Sequence, residues 1–380
     1  MTRANIETFI ISQHSIGVGH LTRSSAIAEA LSAISHVTMF SGGIAVEGYS
    51  APSGVDFVQL PATRSGTTVD APTVSVDPRY ALAEIEQMRS KLLVDKYLRI
   101  KPKILIVEYF PFAPKRFGKT LNKLFEAIQQ EKERPIVISS IRACPLRPWD
   151  ASSEAAWINK QLREKFSCVF HHADPKLFPL TSLGGRTQSA LSGISVWQTG
   201  FVRRPLASQQ NDYPTKGLLL TVGGGAHGAN LLERWISAAR KGSPELFPIN
   251  LVCGPFMNAN DRKILRAAQD ANLTVHDWVA NLDDLMRPSR AVVCMGGYNT
   301  LVEALSLQKP VLAFPDHTLG DQPFQVSALH AQGMLLKGDA SQSVCEITTL
   351  MNELLNFRPQ HPIDCNGAER SVEIVEQLLA

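Results

Sequence analysis

Short runs of β-branched and other apolar residues alternate with amphipathic helical stretches along most of this chain. Such alternation is typical of parallel α/β layers, because parallel strands have to be joined by crossover segments that are usually helical. In the first half, strands are predicted at residues 7–12, 37–40, 57–60, 104–108, 136–140 and 168–171, with helices at 21–34, 79–98, 117–130 and 155–165. The pattern therefore predicts an α/β chain with doubly wound parallel sheets.

The alternation stops at a polar stretch, residues 208–214, and then begins again. The second series predicts strands at 217–222, 249–253, 274–276, 291–294 and 310–314, separated by helices at 230–240, 261–271, 282–286 and 298–307 and followed by one at 321–332. A chain of 380 residues is long enough for two domains. We predict Rossmann-like domains at 1–205 and 206–365 and a C-terminal helix at 366–380 that packs back on the first domain. The ligand cleft is expected between the domains, at the carboxyl edges of their sheets.

Composition narrows the function classes. The 38 Lys and Arg residues against 35 Asp and Glu give a net charge of +3, and no dense basic run is present, so a nucleic-acid partner is not expected. Apolar residues make up 44% of the chain, which excludes disorder. The longest apolar runs have the length of strands, and the N-terminus lacks the apolar core of a signal peptide. We expect a soluble cytoplasmic protein whose membrane contact is at most peripheral.

The cysteines and acidic pairs do not predict a metal site. Six cysteines are scattered without a Cys-x-x-Cys pair, which favours buried or free thiols in a reducing compartment. Asp283 and Asp284 are adjacent, so they lack the spacer of an Asp-x-Asp metal motif. We therefore expect chemistry without a metal ion.

A glycine-containing loop follows the first predicted strand. Gly17 and Gly19 allow a tight turn and close approach to a ligand, and the helix behind them favours negative charge at its N-terminus. The loop lacks the third glycine of the dinucleotide fingerprint, which disfavours a nicotinamide enzyme. His20 closes the loop, where it either faces the cleft or caps its own helix.

The predicted second domain repeats this arrangement twice. Gly223, Gly224 and Gly225 lead through residues 226–228 into a helix, which suits a diphosphate, although a flexible turn is the alternative. Gly296 and Gly297 precede another helix, in which Glu303 follows Asn299 by one turn. A carboxylate is therefore expected close to whatever these glycines hold.

In order and spacing these segments resemble GT-B glycosyltransferases, specifically the group around the peptidoglycan N-acetylglucosaminyltransferase and predicted glycosyltransferases similar to it. The segments that carry the resemblance are residues 17–24, 108–112, 172–175, 199–203, 223–228, 295–303 and 321–325. The resemblance implies two Rossmann-like domains that face an interdomain cleft. It also implies transfer of a sugar from a nucleoside-diphosphate sugar to an acceptor.

The resemblance further implies roles for individual residues. His20 matches a histidine near the acceptor that is a candidate general base, and Gly17 and Gly19 form its loop. Donor-binding roles fall on Arg203, Gly224, Gly225, Ala226, His227, Trp278, Val279, Gly296, Gly297, Asn299, Thr300, Glu303, Asp321, Gln322 and Gln325.

Within that set the implied contacts differ. The glycine loops meet the diphosphate, Glu303 accepts hydrogen bonds from the ribose hydroxyls, and Trp278 with Val279 packs on the nucleobase. Gln322 and Gln325 contact the donor sugar. Arg203, or its neighbour Arg204, approaches phosphate.

The acceptor does not transfer with the resemblance. Asn299-Thr300 replaces a Ser/Ala-rich turn of the peptidoglycan enzyme, and Phe201-Val202 replaces its Asn-Pro. The segments 61–78 and 142–153 on the acceptor side are also unlike it. The partners expected are therefore a nucleotide-sugar donor and a small-molecule or lipid-linked acceptor.

Other polar residues at predicted strand ends have competing explanations. Glu108 could orient His20, meet the acceptor, or pair with a nearby Arg or Lys as plain structure. For His171 and His172 we favour a structural role, because no metal-ligand partners stand at suitable spacing. Arg142 could steer an anionic acceptor, but a surface position is the stronger expectation.

The resulting hypothesis is an inverting, metal-independent hexosyltransferase without a cofactor. It uses a donor linked to a nucleoside diphosphate, with uridine as the first expectation for the nucleoside and thymidine as the alternative, and a hydroxyl or amine acceptor. His20 removes the acceptor proton, with Glu108 as the second catalytic residue. One alternative is a nucleotide-sugar hydrolase, because residues 16–23 also resemble UDP-sugar hydrolases of nonulosonic acid synthesis. A non-catalytic nucleotide-sugar binding protein is a third possibility.

Overall fold

The computed structural model describes residues 6–14, 17–65, 72–113, 117, 119–145, 152–205, 215–319 and 321–380. The polar stretch 208–214 and parts of the two acceptor-side segments, 66–71 and 146–151, lie outside the described residues. The rest forms two parallel sheets, and this confirms the α/β fold class predicted from the alternating pattern.

The first sheet has seven strands in the order β3-β2-β1-β6-β7-β8-β9, all parallel to their neighbours. With a separate antiparallel hairpin, β4 and β5, the strands of this half are β1 (Glu7–Ser12), β2 (His36–Ser41), β3 (Val55–Gln59), β4 (Thr63–Ser65), β5 (Thr73–Ser75), β6 (Ile104–Glu108), β7 (Ile136–Arg142), β8 (Cys168–His172) and β9 (Val196–Gln198). The helices are α1 (Gly19–Leu31), α2 (Leu82–Ile100), α3 (Asn122–Gln130), α4 (Ser152–Lys165) and α5 (Gly185–Leu191).

The second sheet has six parallel strands in the order β12-β11-β10-β13-β14-β15. Its strands are β10 (Leu218–Thr221), β11 (Ile249–Val252), β12 (Leu273–His276), β13 (Ala291–Met295), β14 (Val311–Phe314) and β15 (Leu336–Lys337). The helices of this half are α6 (Ala229–Ala239), α7 (Ala259–Ala267), α8 (Asp283–Met286), α9 (Tyr298–Ser306), α10 (Gln322–Ala331), α11 (Val344–Leu354) and α12 (Gly367–Leu379).

The strand order explains why the glycine loops matter. In each sheet the order reverses beside its first strand, between β1 and β6 and between β10 and β13. At such a switch point the following loops run to opposite sides and leave a crevice at the carboxyl edge. The loops after β1, β10 and β13 are the three glycine-containing segments, so the topology brings each of them to a crevice.

Several short elements were not predicted from the sequence. The hairpin of β4 and β5, the edge strands β9 and β15, and the helices α5 and α11 have no counterpart in the predicted series. The strands among them contain two or three residues. A period of two cannot be recognised over so short a run, and such strands form only where a neighbour supplies the pairing.

The C-terminal helix lies on the first sheet's side of the molecule. α12 contacts α1, and its Ile374 and Val375 are buried in the same apolar cluster as Leu21. The cysteines Cys144, Cys168, Cys253 and Cys294 are buried free thiols, while Cys345 is exposed. Among the helices described, none combines the length and apolar character that crossing a bilayer requires.

Candidate active site

A cavity of about 930 Å³ lies between the two sheets and is lined by residues of both halves. Most residues implied as site residues line it: Gly17, Gly19, His20, Gly224, Gly225, Ala226, His227, Trp278, Val279, Gly297, Asn299, Thr300, Glu303, Asp321 and Gln322. Four others, Glu108, Arg203, Gly296 and Gln325, do not line it. The fold thus gathers into one space residues that are up to 305 positions apart, from Gly17 to Gln322.

The glycine loops of the two halves face each other across this cavity. A methyl group placed on Gly17 would stand 3.8 Å from the Cα of Gly224. Asn299, in the first turn of α9, donates its side-chain amide to the carbonyl of Gly19 at 3.1 Å. The small residues therefore let the two backbones approach closely while leaving room for a ligand.

The loop before α6 packs against a glycine outside it, Gly254, which was not predicted as a site residue. Gly225 has φ +79°, and a Cβ there would lie 2.4 Å from the carbonyl oxygen of Cys253. Gly254 has φ +95°, and its Cβ would lie 2.3 Å from the carbonyl oxygen of Gly223. Two strand ends pack backbone to backbone here, which fixes the 223–228 loop at the N-terminus of α6. The sequence gives one indication of this packing, which is a glycine two residues after the end of the strand β11.

The α9 segment places a carboxylate in the cavity. Gly297 caps the helix, and Asn299, Thr300 and Glu303 line the cavity from its first two turns. Glu303 is 6% exposed, and burial raises the pKa of its carboxyl, an effect opposed by the charge of Arg204. Gly296 does not line the cavity, because it packs against Val326 and Gln322 of α10.

The two adjacent arginines have different positions, and the implied role of Arg203 needs correction. The guanidinium of Arg203 is buried, donating from Nη2 to Asp283 at 2.6 Å and from Nη1 to the hydroxyl of Ser306. Arg204 lines the cavity instead, with its guanidinium 3.5 Å from the carboxylate of Glu303. Of these two arginines, Arg204 is therefore the one placed to contact a ligand in the cavity.

At the far end of the cavity, Trp278 and Val279 follow β12 and line the wall. Trp278 is half-buried and lies beside Gly48 of the first half, whose Cβ would come within 2.9 Å of the indole ring. The loop is held from behind by Asp277, which accepts hydrogen bonds from Arg266 at 2.9 and 2.6 Å. The indole is thus a flat apolar surface on a fixed loop.

The start of α10 also faces the cavity, but only in part as implied. Asp321 and Gln322 line it, and the side-chain oxygen of Gln322 accepts the backbone N–H of Asp316 at 2.9 Å. Gln325 is 1% exposed and does not line the cavity, so a direct sugar contact from it is not supported. It lies one helical turn further along α10 than Gln322.

His20 lies beside a carboxylate and a guanidinium of the first half, those of Glu108 and Arg23. Its Nδ1 lies 2.8 Å from Oε1 of Glu108, and Nη2 of Arg23 donates to the same oxygen. Glu108 and Arg23 are each 1% exposed, and burial lowers the pKa of Arg23 to about 10. Glu108 therefore contacts His20 and pairs with an arginine at the same time, as two of the three roles considered for it require. It does not line the cavity, so the third role, contact with the acceptor, is not supported.

Arg142 was expected at the surface, and that expectation is wrong. Its side chain is 17% exposed, lines the cavity, and forms an ion pair of 3.0 Å with Asp321 of the other half. Its guanidinium carbon lies 5.1 Å from the centre of the Tyr109 ring. Burial alone would lower the pKa of Arg142, but the charges of Asp321 and Tyr109 outweigh burial and raise it.

The first half contributes both apolar and charged side chains to the cavity lining, and the charged ones include Glu29, Arg142 and Glu154. The apolar side chains of this half that line the cavity include Leu21, Val46, Tyr49, Tyr109 and Phe112, and the Tyr109 ring lies 5.3 Å from the His20 ring. On the opposite side, Nδ1 of His227 lies 3.4 Å from the carboxylate of Asp316. Within the parts of the chain that the structure describes, no three His, Cys, Asp or Glu residues are grouped as a metal site would require.

Comparison with known proteins agrees with this geometry. Residues 219–362 match the family model of the glycosyltransferase family 28 C-terminal domain. This segment contains the loop before α6, Glu303 and the start of α10. No curated protein sequence matches the chain significantly.

Solved structures extend the likeness to the whole chain. The calicheamicin glycosyltransferase CalG4 is 13% identical with a TM-score of 0.59, covering 99% of this chain and 94% of its own. MurG of Acinetobacter baumannii is 16% identical with a TM-score of 0.56, covering 98% and 99%. A UDP-glucosyltransferase of Polygonum tinctorium capable of glucosylating indoxyl is 14% identical with a TM-score of 0.59, covering 100% and 94%. The chain therefore has the GT-B fold of these proteins, and its residues 219–362 match the C-terminal domain of glycosyltransferase family 28.

Proposed function

We propose that the chain transfers a hexosyl group from a uridine diphosphate sugar to a hydroxyl or amine of a small acceptor with an apolar body. The observation that carries this proposal is the single cavity in which His20 faces two glycine loops, each followed by a helix N-terminus. The uridine assignment is supported by neighbours described as a UDP-glucosyltransferase and as a protein in complex with UDP.

The donor half of the proposal follows from the chemistry of the second half's residues. The amides of the 223–228 loop and the N-termini of α6 and α9 favour negative charge, and so suit a diphosphate. Glu303 suits the ribose hydroxyls, because an ionised carboxylate accepts two hydrogen bonds. The indole of Trp278 suits a flat nucleobase. Asp321 and Gln322, which also line the cavity, suit the hydroxyls of the sugar.

The reaction step balances without a metal ion. The acceptor oxygen attacks the anomeric carbon, the bond from that carbon to the diphosphate oxygen breaks, and the nucleoside diphosphate leaves with the electron pair. The acceptor proton goes to Nε2 of His20, since its Nδ1 is bonded to Glu108. Direct attack from the face opposite the leaving group inverts the anomeric centre. The charge that develops on the diphosphate is stabilised by fixed amides and helix dipoles.

The apolar wall favours transfer over hydrolysis. A hydrolase needs a place for one water molecule beside the base, whereas residues such as Leu21, Tyr109 and Phe112 provide a wide surface for an organic molecule. A hydroxylated aromatic or aliphatic acceptor fits that surface, with its hydroxyl at His20.

The test combines binding and turnover. UDP is expected to raise the melting temperature more than ADP or GDP, because a ligand that binds only the native state stabilises it. With UDP-sugars and a panel of phenols, His20→Ala is expected to lower turnover by roughly 10²–10⁴-fold at unchanged UDP affinity.

The matched control is His36→Ala, which removes an exposed histidine of the same half and should leave turnover unchanged. EDTA should also leave it unchanged. A His20→Ala protein within a few-fold of the wild type would overturn the assignment of the base, and equal release of free sugar with and without phenols would point to hydrolysis.

A further inference from the structure

Polar side chains stand in a row behind His20 at the carboxyl ends of neighbouring strands. Glu108 ends β6, Ser140 lies in β7, His172 ends β8 and Thr199 follows β9, and each of these strands pairs in parallel with the next. All four residues are at most 1% exposed. Burying polar groups is unfavourable unless they bond to one another, so the contacts among them determine what the row can do.

The contacts run without a gap from the base inward. Ser140 donates its hydroxyl to Oε2 of Glu108 at 2.7 Å, and the same Oγ lies 3.0 Å from Nε2 of His172. Nδ1 of His172 lies 2.7 Å from the hydroxyl oxygen of Thr199. The oxygen of Glu108 that does not face His20 is therefore held by a chain of buried groups.

The number of protons fixes the direction of each bond. A carboxylate only accepts, so the single hydroxyl hydrogen of Ser140 goes to Glu108, and Ser140 must accept from Nε2–H of His172. Burial, followed by the charges of Arg23 and His171, lowers the pKa of His172 well below its usual value, so the ring is neutral with one N–H. Its Nδ1 then has no hydrogen and accepts. The single hydroxyl hydrogen of Thr199 therefore has two acceptors within reach, Nδ1 of His172 at 2.7 Å and the carbonyl oxygen of Gly200 at 2.9 Å.

We propose that Ser140 and His172 are positioning residues of the transfer reaction, acting on His20 through Glu108. Ser140 occupies Oε2 and His172 holds the Ser140 hydroxyl in place, which keeps Oε1 on Nδ1 of His20 and leaves Nε2 as the basic nitrogen. They also disperse the negative charge of Glu108, which limits how strongly the carboxylate favours protonated His20. This inference rests on the proposed role of His20 as the base.

Other charged and titratable groups surround His20 and Glu108. From the elements packed against them, these are Arg23, Tyr109, Arg142, His171 and Tyr298, with Asp321 beyond Arg142. None of them bonds to Oε2 of Glu108 among the contacts described. A change at Ser140 therefore acts on Oε2 while these charges remain in place.

The test follows the titration of His20 by NMR in the full-length protein, labelled with ¹³C and ¹⁵N in its imidazole rings. The spectrum of His20→Gln identifies the signal. In Ser140→Ala the His20 midpoint is expected to rise by about 0.5–1 pH unit, because a carboxylate that has lost a donor favours the imidazolium more strongly. His172→Leu should produce a smaller rise, and Ser140→Thr, which keeps a hydroxyl, should restore the wild-type midpoint.

The chain supplies a matched control on the same strand. Ser139 is equally buried and donates to the carbonyl of Phe110 at 2.7 Å, so Ser139→Ala removes a similar bond that does not involve Glu108. Ser139→Ala should lower the melting temperature without moving the His20 midpoint. If the midpoints of both alanine variants equal the wild-type value, Ser140 is merely structural and the proposal is overturned. A normal turnover of His20→Ala would instead overturn the role of His20 as the base, on which this inference rests, and leave the midpoint shift intact.

Discussion

Glu303 shows how much a single buried acid can decide. It lies in the second turn of α9 with Arg204 as its neighbour, and burial raises the pKa of its carboxyl. An acid in such a position costs stability when ionised, unless a ligand or partner bonds to it. The hydroxyls of a nucleoside are ligands of that kind, so the charge state of Glu303 and donor binding should be linked.

We expect UDP to bind more tightly as the pH rises through the raised pKa of Glu303, because only the ionised carboxylate accepts two hydrogen bonds. Glu303→Gln should weaken binding by about 1–3 kcal/mol and flatten this pH dependence. Calorimetric titration with UDP between pH 4.5 and 8 measures both effects. Glu233→Gln, which removes an exposed acid on α6, is the control. A wild-type affinity that does not change with pH would remove Glu303 from the donor site.

At the scale of elements, the site depends on strand ends that pack backbone to backbone. The loop before α6 contains Gly223 and Gly225, both at positive φ, but their surroundings differ. A Cβ on Gly225 would meet the carbonyl of Cys253, whereas no described heavy atom lies within 4 Å of a Cβ on Gly223. One glycine serves the packing of two loops, and the other leaves the cavity open.

This difference predicts separate effects of the two alanine substitutions. Gly225→Ala should destabilise the protein by more than Gly223→Ala, since the latter faces only the left-handed backbone cost of about 1–2 kcal/mol. Gly223→Ala should nevertheless weaken UDP binding, because its methyl group projects from a residue that lines the cavity. Urea unfolding and UDP titration of both variants measure these effects. Equal losses of stability would contradict the packing role of Gly225.

At the scale of the whole molecule, few polar contacts join the two halves across the cleft. The ion pair of Arg142 with Asp321 is one, and the bond from Asn299 to Gly19 is another. Behind the cleft, Tyr298 donates to the carbonyl of His172 at 2.9 Å and packs against Phe201. Tyr298 thus joins the halves by a hydrogen bond and a ring contact, while the Arg142–Asp321 ion pair joins them at the wall of the cavity.

Arg142→Met should therefore loosen the cleft. Removing one member of a partly buried ion pair leaves Asp321 without its counter-ion, which favours more open arrangements of the halves. Hydrogen exchange of the backbone amides at 17–20 and 223–228 is expected to become faster. Arg79→Met breaks a surface pair with Asp77 and should have no such effect, since exposed pairs contribute little. Unchanged exchange in Arg142→Met would show that the ion pair does not hold the cleft closed.

The sequence alone determined the fold class and the segments in which site residues were predicted. Strand and helix periods are local, so the alternation predicted parallel α/β layers, and β1 begins and ends where it was predicted. The glycine loops were recognisable because a strand, a glycine and a helix follow each other in the chain. The position of Glu303 one turn after Asn299 also follows from a local period.

Only the tertiary structure decided which of these residues act together. Arg203 and Arg204 are neighbours in sequence, but Arg203 forms a buried ion pair with Asp283, whereas Arg204 lies in the cavity beside Glu303. Arg142 is largely buried because Asp321 meets it from the other half. The physical reason is the same in each case: the partner comes from a distant part of the chain, and no local period records which partner that is.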